Sequence, residues 1–215
     1  GGHNGPPRGT MMLSDGGEPI YGDRDIPDLA KIAELGLPFW LAGTFGTNEK
    51  FKEALASGAQ GVQIGTGFAF CEESGLREDL KRRVIDLVLE GKTSVFTDPL
   101  ASPTGFPFKV VQVPETISAA SVVGRRTRIC DLGYLREPFT KDDGTIAYRC
   151  AAEPIEDYVA KGGTVDDTDG RKCICNGLMA TAGLAQTRKD GYEEPPIITA
   201  GDDVVNIGRY MRNGA

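Results

Sequence analysis

Phe39-Trp40-Leu41-Ala42-Gly43-Thr44-Phe45-Gly46 and, shortly after it, Gly61-Val62-Gln63-Ile64-Gly65-Thr66-Gly67-Phe68 decide the fold of this chain. Each stretch runs from a short apolar segment into a glycine-rich turn. Phe39 to Ala42 is too short and too uniformly apolar for a surface helix, so it reads as a strand buried on both faces. Gly61 to Gly65 reads as a second buried strand. Between them, Glu49 to Ser57 sets Phe51, Ala54 and Leu55 at i, i+3 and i+4, with Thr47 or Asn48 as cap and Gly58 as stop. That pattern predicts a helix. Asp28 to Leu35 predicts a short helix before the pair, stopped at Gly36. Glu78 to Leu89, with Leu80, Val84, Leu87 and Val88, predicts a longer one after it. Helix, strand, helix, strand, helix with short links is parallel α/β architecture, because each crossover helix must cover the sheet to which it returns.

Beyond residue 92 the rhythm changes. Pro99, Pro103, Pro107 and Pro114 follow one another too closely for regular helix, and only Ser94 to Thr97 and Phe108 to Val113 look extended. Short helical stretches are expected at Ile155 to Val159, Leu178 to Leu184 and Val204 to Met211. The expected organisation is therefore an α/β part over 1–92 and an appended, mainly irregular and helical covering region over 93–215.

The 215 residues include 29 glycines, 24 Lys plus Arg and 31 Asp plus Glu, a formal net charge of -7. An acidic chain is a poor partner for nucleic acid, so any bound phosphate is expected to be gripped locally. No apolar window approaches the length of a bilayer-spanning helix, and no signal segment opens the sequence, so no membrane association is expected. Five cysteines, an odd number at low density, fit reduced thiols in a cytoplasm.

A strand that ends in glycine and runs into a helix presents free backbone N–H groups where the helix dipole favours negative charge. Two such junctions in tandem, each with a threonine hydroxyl, could converge on one phosphate. The same glycines also suit plain tight turns. Neither junction carries a Walker tail or the GxGxxG dinucleotide pattern, which makes a mononucleotide or flavin phosphate the better ligand. The only histidine, His3, lies in Gly1-Gly2-His3-Asn4-Gly5. Its glycine neighbours leave room for a substrate beside an imidazole suited to proton transfer near neutral pH. An exposed terminal residue is the plainer reading.

Cys130, Cys150, Cys173 and Cys175 all fall in the covering region, the last pair as a CxC. Four thiolates could bind zinc or an iron–sulfur centre, but the spacing lacks close paired knuckles, and free cysteines often serve as small buried hydrophobes. No metal is assigned. Arg171-Lys172 beside the CxC would suit a thiolate of lowered pKa. Cys71 reads as a packing residue, and Glu153, Glu156 and Asp157 as the solvated face of a short helix.

Gly1-Gly2-His3, Phe39 to Gly43, Gly61 to Phe68, and Thr97-Asp98-Pro99 with Thr104-Gly105-Phe106-Pro107 together resemble the nitronate monooxygenases, FMN-dependent TIM-barrel enzymes. The resemblance implies the C-terminal part of a (β/α)8 barrel, the rest of which would come from preceding sequence, with an oligomer compatible. It implies His3 as general base and Gly1 and Gly2 beside the flavin. Ala42, Gly43 and Thr44 at one strand end, and Gln63, Gly65 and Thr66 at the other, would form the FMN phosphate clamp. Thr44 departs from the family, which has a second glycine there. A threonine disfavours positive φ, so either its hydroxyl joins the clamp or the loop changes. The implied reaction converts an alkyl nitronate or nitroalkane, with molecular oxygen, to a carbonyl compound and nitrite, with Phe45, Phe68 and Phe70 as candidate apolar walls. The alternatives are an FMN-dependent enoyl-thioester reductase using NAD(P)H and a non-catalytic flavin-binding or scaffold module.

Overall fold

In the computed structural model, which describes residues 5–211, the stretch around the two glycine turns folds as strand, helix, strand. The elements run α1 (Leu29–Ala33), β1 (Trp40–Ala42), α2 (Asn48–Ala56), β2 (Gly61–Gln63), α3 (Thr66–Ala69) and α4 (Glu78–Leu89). They continue with β3 (Val95–Asp98), β4 (Phe108–Val111), α5 (Ala120–Arg125), β5 (Glu137–Thr140), β6 (Ile146–Arg149), α6 (Ile155–Ala160) and α7 (Ile174–Thr181). A 3₁₀ stretch, Asp202–Tyr210, closes the described chain. The protein is thus mixed α/β with small sheets. These elements form two compact units, one through Val95 together with the stretch from Ala200, the other Phe96–Thr199.

In the first unit, β1 and β2 pair in parallel with Trp40 opposite Gly61, Leu41 opposite Val62 and Ala42 opposite Gln63. α2 makes the crossover. Thr47 Oγ1 accepts the Lys50 N–H at 3.2 Å, occupying one of the donors that a helix start leaves unpaired. Asp28 caps α1 in the same way through Lys31 N. α4 buries Leu80 and Val84, and the 3₁₀ stretch that packs on it buries Val204 and Ile207. Lys81, only 4% exposed, sends its Nζ to the carbonyls of Cys71 and Glu72, which ties the turn after α3 to α4.

The expectation of strands buried on both faces fails. Trp40 is 59% exposed, and Ala42 and Gln63 are exposed as well. The reason is the size of the sheet: with two strands and α2 against β2, one face meets solvent. The Trp40 ring instead covers Gly61 on the neighbouring strand, where an added Cβ would stand 3.1 Å from Cδ1. The stretch expected as helix at 204–211 is 3₁₀, with Val204 and Ile207 buried and Val205 exposed.

The second unit centres on Val110, Ile117 and Ile197, with Phe108, Val123 and Leu178 around them. β3 and β4 form one two-stranded sheet. α7 fits closely into this core at Gly177, where an added Cβ would approach Ile197 Cγ2 to 2.7 Å and Ile117 Cδ1 to 3.0 Å. Three of its labelled elements escape the sequence reading. β5 and β6 make an antiparallel hairpin, Glu137 opposite Arg149 through Thr140 opposite Ile146. It is mostly exposed and so lacks a clear apolar alternation. α5 is a short helix whose apolar residues are too few to show a period. α7 also begins earlier than its apolar run suggested, at Ile174.

Candidate functional site

The parallel register sets the two glycine turns side by side at one end of the β1–β2 sheet, since Ala42 and Gln63 are partners and the chain leaves both strands in the same direction. Gly43 and Thr44 then take φ of +83° and +59°. Glycine adopts this region freely, whereas a β-branched residue held there stores strain on the order of 1–3 kcal/mol. Thr44 thus holds a backbone that glycine would favour. On the second strand, Gly65 leads into α3, whose first N–H groups have no partner within the helix. A Cβ at Gly65 would meet nothing within 4 Å. Ala42, Thr44, Gln63 and Gly65 are all exposed, so this end of the sheet is accessible from outside.

Thr66 Oγ1 accepts the N–H of Gly201 at 3.0 Å, which leaves its O–H to donate. The 3₁₀ stretch brings further groups that no local pattern announces. Tyr210 Oη donates to the carbonyl of Gly46 at 2.5 Å, and its ring lies where Cβ atoms on Gly46 and Gly67 would stand, 2.5 Å from Oη and 3.2 Å from Cε2. Arg209 stacks its guanidinium on Tyr210 at 5.0 Å and pairs with Asp203. One of its terminal nitrogens lies 3.8 Å from a Cβ position on Gly46. Both residues lie more than 140 positions from the turns they meet, so only a relation through space could have revealed them. Neither turn, 42–46 or 63–67, contains an acidic residue. Helix-start N–H groups, a threonine hydroxyl, open space at Gly65 and the Arg209 guanidinium are thus the groups that an anion would meet at this end of the sheet.

Of the sequence-derived candidates, Ala42, Gly43, Thr44, Gln63, Gly65 and Thr66 come together here. His3, Gly1 and Gly2 lie outside the described residues. Phe70 is buried at 6% and belongs to the core, whereas Phe68 is 66% exposed. The Cys71 thiol donates to the Phe68 carbonyl at 3.0 Å and is only partly buried.

In the second unit two expectations change. Glu153 is not on a solvated face: it is 3% exposed, and its Oε2 accepts Lys161 Nζ at 2.8 Å. Arg171 and Lys172 are engaged with partners other than the CxC thiols. Arg171 donates to the carbonyls of Leu100 and Ser102, and Lys172 pairs with Asp98 at 2.5 Å. Asp98 in turn accepts the N–H groups of Leu100 and Ala101, so these two cations hold the Asp98-to-Ser102 loop. Burial pushes the Cys150 and Cys173 thiols up to about 11.

No family model and no solved structure matches this chain. One curated protein is similar to it: the (3aS,4S,5R,7aS)-5-hydroxy-7a-methyl-1-oxo-octahydro-1H-indene-4-carboxyl-CoA dehydrogenase of Mycobacterium tuberculosis, 32% identical over 91 residues. The match covers 42% of this chain and spans only 22% of that protein's length. No helix among the described residues is long and apolar enough to cross a membrane.

Proposed function

We propose that the paired strand ends of β1 and β2 hold the phosphate of FMN, and that the chain is the C-terminal part of a (β/α)8-barrel flavoprotein oxidoreductase that oxidises alkyl nitronates with molecular oxygen. The observation that carries this reading is the parallel register of Ala42 with Gln63, which puts two helix-entering glycine turns within reach of one anion. In barrels of this class the last strand–helix junctions hold a phosphate. FMN, when bound, supplies the electron-accepting chemistry. The chain's own residues bind and orient: the amides at the starts of the turns and the Thr66 O–H donate to phosphate oxygens, and Gly65 lets them approach the backbone. Arg209 adds positive charge at the rim. His3 would hydrogen-bond an anionic nitronate or remove the α-proton of a neutral nitroalkane.

A second reading has its own support, because the similar mycobacterial protein is named as a dehydrogenase of a CoA thioester. On that reading the same phosphate site serves a flavoprotein acting on acyl-CoA substrates.

Titration of FMN into the purified chain tests the shared premise. We expect quenching of flavin fluorescence that saturates at one FMN per chain, with binding weakened at least about tenfold in Gly65→Asp, which places a carboxylate against the phosphate. Failure of the wild-type chain to take up FMN would remove both readings. In the loaded protein under anaerobic conditions, bleaching by a nitronate supports the first reading. Bleaching by NAD(P)H or by a CoA thioester supports the second.

A further inference from the structure

All four cysteines of the second unit converge. Cys130, Cys150, Cys173 and Cys175 line one small cavity, together with Gly133, Leu135, Ala152, Ile174 and Lys172. They arrive from three separate places in the chain. Cys130 precedes the β5–β6 hairpin, Cys150 directly follows its second strand, and Cys173 and Cys175 sit at the cap and in the first turn of α7. A hairpin base and a helix start thus face each other across the cavity with two cysteines each.

Charged side chains of both signs stand around the cavity: Glu153 and Arg136 act on Cys130, and Arg126 and Glu194 on Cys173. Arg126 pairs with Glu194, and Lys172, which lines the cavity, pairs with Asp98. All five cysteines are free thiols, so no disulfide competes for the four.

We infer that Cys130, Cys150, Cys173 and Cys175 form a tetrathiolate site for one thiophilic divalent ion of the zinc class, which pins the hairpin to α7. Each sulfur loses its proton to solvent as its bond to the metal forms, four thiols and one M²⁺ giving [M(SR)₄]²⁻ and four H⁺. The cavity, about 10 Å³, suits a single ion with bonds of about 2.3 Å and not a multi-iron cluster. As they stand, no three of the described His, Cys, Asp or Glu side chains sit at coordinating distances. The site therefore requires the four sulfurs to turn onto the ion by rotation about χ1. The role is structural. A metal that binds only the native arrangement adds folding free energy to the unit that holds it.

The full chain, purified under reducing conditions, is analysed for metal content and titrated with cobalt(II) after chelation. We expect one zinc per chain and, with cobalt, the visible bands and near-ultraviolet sulfur-to-metal charge transfer of a tetrahedral thiolate site. Cys175→Ser and Cys130→Ser change partly exposed positions and should each weaken cobalt binding at least about tenfold. Cys71→Ser in the other unit should leave it unchanged. The proposal is overturned by wild-type protein that takes up neither metal, by iron with acid-labile sulfide in place of zinc, or by cobalt spectra that Cys175→Ser and Cys130→Ser leave intact. Flavin uptake plays no part in this experiment, so its result is independent of the function proposed above.

Discussion

The two units of this chain differ in what their interiors contain. Through Val95 and again from Ala200, the buried set is largely apolar, Ala54, Leu80, Val84, Val204 and Ile207 among it. Between Phe96 and Thr199 an apolar core that includes Val110, Val111, Val113, Ile117, Ile197 and Ile198 also encloses polar and charged side chains. Arg126 meets Glu194 at 2.5 Å with almost no exposure of either side chain, and Tyr192 adds a hydrogen bond to the same carboxylate at 3.0 Å. Arg128 reaches the carbonyls of Ala151 and Thr168, and Asn176 reaches Asp131. An apolar core tolerates approximate shape, whereas a buried ion pair holds only if its partner stays in place.

The contrast is tested most severely at Glu194. Glu194→Ala strands the Arg126 guanidinium in the interior, and we expect a loss of about 3–5 kcal/mol in urea denaturation. Hydrogen exchange should show lost protection concentrated in residues 96–199. A loss below about 1 kcal/mol would mean that the pair is not what fastens this unit. Leu80→Ala makes the corresponding change in an apolar core and should cost about 2–4 kcal/mol. Its loss should be seen in the fluorescence of Trp40, the sole tryptophan, and in the amides of α4. The smallest effect has the opposite sign. Thr44→Gly relieves a β-branched residue at φ +59° and should raise stability by about 1 kcal/mol, partly offset by the greater freedom of glycine when unfolded. If it destabilises instead, the threonine side chain makes a contact that outweighs the strain.

Much of the first unit is legible from residue spacing. α4 runs from Glu78 to Leu89 as its apolar residues predict, Thr47 caps α2, and β1 and β2 fall within the two apolar runs. The local patterns carry their own stop signals there, and a crossover helix with short links leaves parallel pairing as the economical arrangement. The exposure of Trp40 was not legible, because a four-residue apolar run looks alike whether one face or both are covered. In the second unit the hairpin β5–β6 escaped because solvent-facing strands carry little hydrophobic pattern. Its clearest mark is the Asp143-Gly144 turn, where Asp143 Oδ1 accepts the Thr145 N–H at 2.9 Å. The candidate anion site was half readable: the glycines and Thr66 stand in local motifs, whereas Arg209, Tyr210 and Gly201 reach it only through the fold.

The order of residues by itself determined α1, β1, α2, β2 and α4 in the first unit, because periodicity and capping act over a few residues. It also marked the two glycine turns as strand ends that lead into helices, where amides are left unpaired. The tertiary structure alone decided that those turns adjoin, that Thr44 bears a left-handed backbone, and that four cysteines spread over 46 positions face one cavity. Those are relations between distant residues. They are settled by strand register and by the closure of loops onto a core, and neither is written into any short window of the chain.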